Sequence, residues 1–120
     1  MPVSWHISES VVRLESSETV TFAEWKAAVD AALADPHYRP GMGVLHDQRR
    51  LRDAPSGEEG KARAAYVVAQ GIRRWAVLVA SDVQYGMARL GDAYSSGSST
   101  EIQAFRDPAE AEEWARGRGE

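Results

Sequence analysis

The apolar run at residues 75–80, WAVLVA, constrains the fold more than any other stretch of the chain. Consecutive apolar residues without polar alternation are typical of a strand that is buried on both faces of a sheet. The run is too short to cross a bilayer. Helical patterns precede and follow it, and strands that alternate with helices pair in parallel through right-handed crossovers. The run therefore predicts an inner strand of a largely parallel sheet.

Four other segments show the features of strands. Residues 3–8 alternate apolar and polar side chains, and residues 10–17 follow them across a short polar link. This spacing predicts an antiparallel hairpin. Residues 44–48 and 101–105 complete the set.

Four segments carry apolar residues at helical spacing, and each begins with a good N-cap residue. The predicted N-caps are Thr21, Ser56, Ser81 or Asp82, and Asp107. Thr21 with Glu24, and Ser56 with Glu59, fit the capping box. The first helix should end near Asp35 because Pro36 follows, and the second near Gln70 because Gly71 follows.

The inner faces of the second and third helices follow from the same spacing. For the second helix we predict that the core-facing side chains are Ala62, Ala65, Tyr66 and Ala69. For the third we predict Val83, Met87, Leu90 and Tyr94. Gly86 and Gly91 would leave room on that helix for a homodimer contact or a pocket wall, and ordinary helix-on-sheet packing is the alternative.

These elements predict an α/β chain in the order ββαβαβαβα. The sheet would be mixed and five-stranded, with four helices. A chain of 120 residues is the size of one domain, which we place at residues 1–116, with a frayed tail at 117–120.

Composition narrows the function classes. The net charge of −4 argues against a nucleic-acid binder, which needs a basic face. The chain has no cysteine, which excludes disulfides, thiol catalysis and thiolate metal sites. No signal peptide or membrane span is recognisable, so we expect a cytoplasmic protein.

Three segments carry a family resemblance: ADPHYRPGMGVLHDQR, WAVLVASDVQYGMARL and AFRDPAEAEEWA. Their most specific pieces are D-P-x-Y-x-P-G, D-x-R after the third strand, and Y-G-x-A-R on the third helix. Together they resemble the SpoIIAA-like (STAS-like) domains, which are related in fold to the CRAL-TRIO lipid-binding domains. The resemblance covers nearly the whole chain, and none of the three pieces is a catalytic signature.

The resemblance implies a regulatory or ligand-binding module without a cofactor, rather than an enzyme. In the wider group, anti-anti-sigma members carry a phosphorylatable serine directly after an aspartate. Here Gln48 follows Asp47, and the next serine is Ser56. A partner-switching regulator that binds another protein and is phosphorylated at Ser56 or Ser81 is the alternative function.

The carboxyl ends of the strands are the place where this fold class binds ligands. That rule brings together residues 47–52, 81–85 and 106–107, which are rich in arginine and lie next to helix N-termini. Such a site suits a small anionic or lipid-like ligand. Structural ion pairs at the sheet end are the alternative explanation. The predicted ligand-binding residues are Asp47, Arg49, Ser81, Tyr85 and Arg89.

Two catalytic interpretations fit the sequence poorly. His46, Asp47 and Ser81 resemble a triad in composition only, because neighbouring strand residues point to opposite faces and no G-x-S-x-G surrounds Ser81. His6, His37 and His46 lack the spacing of metal ligands. We therefore expect no catalytic residue and no metal.

Overall fold

Five strands and four helices follow one another in the predicted order, ββαβαβαβα. The structure is a computed structural model, and it describes residues 3–52 and 56–117. The strands are β1 (Val3–Ser8), β2 (Val11–Glu18), β3 (Gly43–Leu51), β4 (Arg74–Leu78) and β5 (Glu101–Phe105). The helices are α1 (Phe22–Leu33), α2 (Gly57–Ala69), α3 (Asp82–Ser95) and α4 (Pro108–Arg116).

The strands form one mixed sheet in the order β1-β2-β3-β4-β5. β1 and β2 pair antiparallel, and the other three pairings are parallel. Glu9 and Ser10 form the hairpin turn with φ angles of 52° and 65°. The predicted fold class and the predicted hairpin are therefore confirmed.

The helices divide unequally between the two faces of the sheet. α1, α2 and α3 cover one face, which we call the three-helix face, and α4 covers the other, the one-helix face. β4 contributes buried residues to both: Trp75 and Val77 to the three-helix face, Ala76 and Leu78 to the one-helix face. The apolar run is thus an inner strand buried on both sides, as predicted.

β3 is longer than predicted. It runs through Arg49 and Arg50 to Leu51, where the sequence had indicated a loop after Gln48. The strand continues because β2 runs beside it, with Glu18 opposite Leu51 and a bulge between Glu15 and Ser17. Leu51 is buried and anchors this end of the strand.

The predicted inner stripe of α2 is wrong by about one position. Ala62, Ala65 and Ala69 are exposed and Tyr66 is half-buried. The buried residues are Arg63, Ala64 and Val67. An alanine-rich helix has a weak apolar pattern, so its orientation is set by where the larger Val67 fits. That orientation carries Arg63 into the interior.

The predicted inner stripe of α3 is also wrong where the structure describes it. Val83 is 69% exposed and Tyr94 is 40% exposed. The side chains of Met87 and Leu90 lie outside the described part of the chain. The inward residues are small or polar, such as Ala88, Gly91 and the buried Ser95. A Cβ atom at Gly91 would stand 3.0 Å from Ile102 Cγ2, so small residues let α3 approach β5 closely.

Helix caps explain where the helices begin. Thr21 and Glu24 form the complete capping box. Ser56 accepts from the Glu59 backbone N–H, but the Glu59 carboxylate bonds Arg63 instead of closing the box. Ser81 and Asp107 cap α3 and α4, as predicted. Gly117 ends α4 with a φ of +81°, and the rest of the predicted tail, residues 118–120, lies outside the described residues.

No helix in the described ranges combines the length and the apolar character that a membrane crossing requires.

Candidate ligand-binding cavity

A cavity of about 70 Å³ lies on the three-helix face, between the sheet and helices α1, α2 and α3. Its walls are largely apolar. β4 supplies Trp75 and Val77, β5 supplies Ile102, and α2 and α3 supply Val67 and Ala88. Apolar walls with a few polar groups are the usual lining of a small-molecule site, although this cavity is smaller than the roughly 300–1,000 Å³ of most such sites.

Arg63 is the charged residue of the cavity wall, and it is only 7% exposed. Its Nη2 atom donates to Glu59 Oε2 at 2.8 Å and to the Val20 carbonyl at 3.2 Å. Its Nε and Nη1 atoms are buried and have no acceptor. Desolvation lowers the pKa of Arg63 from its ordinary value, although the Glu59 carboxylate opposes that shift. A guanidinium nevertheless stays charged in proteins, so the cavity has a positive wall.

Trp25 lies beside that guanidinium. The Arg63 Cζ atom is 5.3 Å from the Trp25 ring centroid, a cation–π distance. Trp25 is 1% exposed, and its indole N–H also has no acceptor. Among the described residues, four buried side-chain nitrogens lack a partner, and three of them belong to Arg63 and Trp25. Unsatisfied donors are thus concentrated at this one cavity.

His46 forms the floor of the cavity and is fully buried. Its Nε2 atom is 2.6 Å from the Ser16 hydroxyl, and its Nδ1 atom is 3.2 Å from the Gln48 amide nitrogen. Burial, assisted by the nearby charge of Arg63 and opposed by Asp47, lowers its pKa to about 3. His46 is therefore a neutral hydrogen-bonding group at physiological pH.

The placement of His46 also argues against a catalytic triad of His46, Asp47 and Ser81. Its side chain faces the three-helix side, whereas the neighbouring Asp47 lies in a groove on the other face, with Leu45 and Arg13. Ser81 accepts the Gln84 backbone N–H at 3.0 Å as an N-cap. The structure does not bring the three side chains together, in agreement with the sequence-based expectation.

Gln84 connects the start of α3 to the end of β3. Its Nε2 atom donates to the Gln48 carbonyl at 3.1 Å, and its Oε1 atom accepts the Ala80 N–H at 2.8 Å. Both polar atoms of the Gln84 side chain are therefore already hydrogen-bonded within the protein. Gln84 therefore positions the wall of the cavity, while Arg63 and Trp25 keep donors available.

Two of the predicted ligand-binding residues, Asp47 and Arg49, pair with each other on the one-helix face. Arg49 Nε and Nη2 donate to the two carboxylate oxygens of Asp47 at 3.0 and 2.9 Å. Burial alone would raise the pKa of Asp47, but the hydrogen bonds from Arg49 lower it below its ordinary value. This pair matches the structural ion pair that the sequence left open.

The other three predicted residues lie on α3 or at its start. The ring of Tyr85 is 4.7 Å from the guanidinium of Arg106, which also pairs with Asp82 at 2.7 Å. Ser81 and Arg89 are exposed. The five residues are thus divided between the two sides of the sheet. A ligand role for any of them, and phosphorylation of the exposed N-caps Ser56 and Ser81, stay predictions.

Arg63 and Trp25 were absent from the sequence-based candidates. One signal was present in the sequence: Arg63 follows Glu59 by four residues, which predicts an ion pair on one helix face. That face proved to be the inner one.

The part of the chain that the structure describes holds no group of three His, Asp or Glu side chains that could bind a metal ion.

Comparisons with known proteins support the fold assignment and do not identify a function. No known family profile matches the sequence. No curated protein matches it. The fold is similar to the crystal structure of an uncharacterized protein of the DUF3478 family with a SpoIIAA-like fold, from Shewanella loihica PV-4. The two share 15% identity and a TM-score of 0.64, over 94% of this chain and 91% of that chain. The likeness confirms the predicted SpoIIAA-like fold.

Proposed function

We propose that this protein is a non-catalytic binding module whose ligand is a small anionic molecule with an apolar part. The ligand would occupy the cavity beneath α2 and α3, with its anionic group at Arg63. The single observation that carries this proposal is the buried Arg63 guanidinium, whose Nε and Nη1 atoms lack acceptors at the wall of an apolar cavity.

The energetic argument starts from the cost of such a side chain. A buried donor without an acceptor costs about 1–3 kcal/mol. A buried ion pair often stabilises a protein no more than apolar residues of the same volume would. Glu59 satisfies one end of the guanidinium, and the Nε and Nη1 atoms of this cavity-lining residue are buried without a partner. An anion in the cavity would supply the missing acceptors.

The arginines of the predicted sheet-end site offer less to a ligand. Arg49 already makes a two-pronged pair with Asp47. Arg50 and Arg52 pair with Glu15 and Glu18 across the strands, at the exposed edge. Because exposed charges are well solvated, they are weaker attractors for an anion than a guanidinium in an apolar wall.

Thermal denaturation with a panel of anions tests the proposal. The panel contains acetate, benzoate, phosphate, a nucleoside monophosphate and a micelle-free fatty acid. At least one carboxylate should raise the Tm of the wild type, because a ligand that binds only the folded state stabilises it by mass action. Arg63→Met should abolish the shift, whereas Arg49→Met and Arg89→Met should keep it.

The controls separate the cavity from the sheet end. A shift that disappears in Arg49→Met or Arg89→Met, and persists in Arg63→Met, would move the site to the originally predicted residues. Absence of a shift with every member of the panel would contradict the binding function itself.

A further inference from the structure

We infer that the ligand of this cavity is a short-chain monocarboxylate, with its carboxylate at the unpartnered donors of Arg63 and Trp25 and its alkyl part toward the apolar walls of β4 and β5. This inference rests on the proposed binding function and specifies the ligand class.

The size of the cavity limits the ligand. A cavity of about 150 Å³ holds benzene, which corresponds to about 25 Å³ for each heavy atom. The present cavity of about 70 Å³ therefore accepts about three heavy atoms. Formate has about three heavy atoms, and acetate and propionate exceed that size by about one and two atoms. Benzoate and medium-chain fatty acids are far larger.

The available donors favour a carboxylate over other small ligands. Arg63 Nε and Nη1 and Trp25 Nε1 are donors without acceptors, so the ligand must supply acceptor oxygens. Glu59 and the Val20 carbonyl occupy Nη2, so Nε and Nη1 each offer a single hydrogen bond, and the charged oxygens of a carboxylate accept such bonds more strongly than a neutral oxygen does. A neutral alcohol would bring only one oxygen and no charge.

The charge balance favours a single negative charge. Arg63 is the charged side chain of the cavity wall and shares its charge with Glu59, and His46 is neutral, so the wall offers no second positive charge. The walls at Trp75, Val77 and Ile102 are apolar and cannot solvate a dianion. Phosphate should therefore bind more weakly than acetate.

Gly60 is the position in the cavity wall where a larger side chain can block the ligand. It lines the cavity, and a Cβ atom built there meets no atom within 4 Å. A leucine at this position would place its side chain into the space that a ligand needs. Gly86 on α3 is a matched control, because a Cβ atom there also meets nothing within 4 Å and Gly86 does not line the cavity.

The experiment is an NMR titration of the full chain, observing the indole N–H signals. The probes are the sodium salts of formate, acetate, propionate, butyrate, hexanoate and benzoate, with sodium phosphate and sodium chloride as ionic controls. The Trp25 indole signal should move downfield and saturate with formate or acetate, because its N–H gains an acceptor. The affinity should fall at least tenfold from propionate to hexanoate.

Variants connect the signal to the cavity. Gly60→Leu should weaken acetate binding at least tenfold, and Gly86→Leu should leave it unchanged. Arg63→Met should abolish saturation, and Arg63→Lys should retain part of it. The dispersion of the amide signals in the same spectra shows whether each variant is folded, and Trp25→Phe supplies the signal assignment.

The outcomes distinguish the inference from the proposed function. Saturable binding of benzoate or hexanoate that depends on Arg63, without binding of acetate or propionate, would overturn the short-chain class and keep the binding function. Tighter binding of phosphate than of acetate would do the same. If no anion moves the Trp25 signal beyond the chloride control, the cavity holds only water, and both the inference and the function fail.

Discussion

The two faces of the sheet are packed in opposite ways. On the one-helix face, α4 lies so close to β3 that a Cβ atom at Gly43 would collide with the backbone carbonyl of Ala115. Ala76, Ala111 and Ala115 are fully buried there. The small side chains let the helix and sheet backbones meet, and such close packing leaves no space for a ligand directly beneath α4.

On the three-helix face, the same sheet meets large aromatic residues and a charge. Trp25 and Trp75 pack edge to face at 5.7 Å between ring centroids, and the cavity remains between them and α3. Three unsatisfied donors and a neutral buried histidine border it. The one-helix face is thus packed backbone to backbone, whereas the three-helix face keeps a cavity with buried polar groups in its walls.

Gly43→Ala should have the largest effect on stability. The new methyl group meets a backbone carbonyl, which cannot rotate away as a side chain could, so α4 must move off the sheet. Overpacking costs about 1–3 kcal/mol when side chains can adjust, and we expect at least about 3 kcal/mol here. Urea denaturation measures the change. Wild-type stability in Gly43→Ala would show that α4 is loosely attached, and would remove the contrast between the faces.

The loss of stability at acidic pH, caused by His46 on the three-helix face, is the next largest effect. The pKa of His46 is about 3 in the folded state and about 6.5 in the unfolded chain, so between these values the unfolded state binds more protons. The contribution of the neutral His46 to the free energy of unfolding is fully present above pH 6.5 and is lost as the pH falls toward 3. The slope approaches about 1.4 kcal/mol per pH unit, which gives a loss of about 2 kcal/mol from pH 6.5 to 5.

Two histidine variants test whether His46 causes this pH dependence of stability. His46→Gln keeps a hydrogen-bonding side chain beside Ser16 but cannot titrate, so its stability should change little from pH 6.5 to 5. His6→Gln, on the exposed side of β1, should keep the wild-type slope. A slope that is unchanged in His46→Gln would mean that water reaches His46 and that the cavity is not dry.

Glu59→Gln should destabilise the protein by about 1–2 kcal/mol. It removes the carboxylate that pairs with the buried Arg63, and an uncompensated buried charge is costly, although the 32% exposure of Glu59 reduces the effect. The same change at Glu18, whose pair with Arg52 is 70% exposed on both sides, should cost less than about 0.5 kcal/mol. Urea denaturation of both variants makes the comparison.

The Arg63→Met background provides the check on that interpretation. Without the guanidinium, Glu59→Gln should have almost no effect, which a double-mutant cycle detects as coupling. Equal effects of Glu59→Gln in both backgrounds would show that Glu59 stabilises α2 for another reason, such as its position in the first helical turn.

The sequence predicted the element order, the hairpin and the caps because those depend on local patterns. Strand alternation, Thr21 with Glu24, and Pro108 after Asp107 each act within a few residues. The cavity could not be predicted in this way. The rotation of α2 depends on how Val67 meets the sheet, and alanines on every side of that helix give no preferred face. Arg63 was therefore absent from the candidates, and the candidate site included Arg49, which pairs with the neighbouring Asp47.

The smallest expected effect comes from a pair of glycine variants that compares the cavity wall directly with the surface. Gly60→Ala and Gly86→Ala both replace a helical glycine with alanine where the new methyl group meets nothing within 4 Å. Each should stabilise the free protein by about 0.5–1 kcal/mol, because alanine is the better helix former. The two variants should separate only when acetate is added: Gly86→Ala should keep the wild-type increase in Tm, and Gly60→Ala should lose part of it. Equal responses to acetate would show that the space beside Gly60 is open solvent and not part of the site.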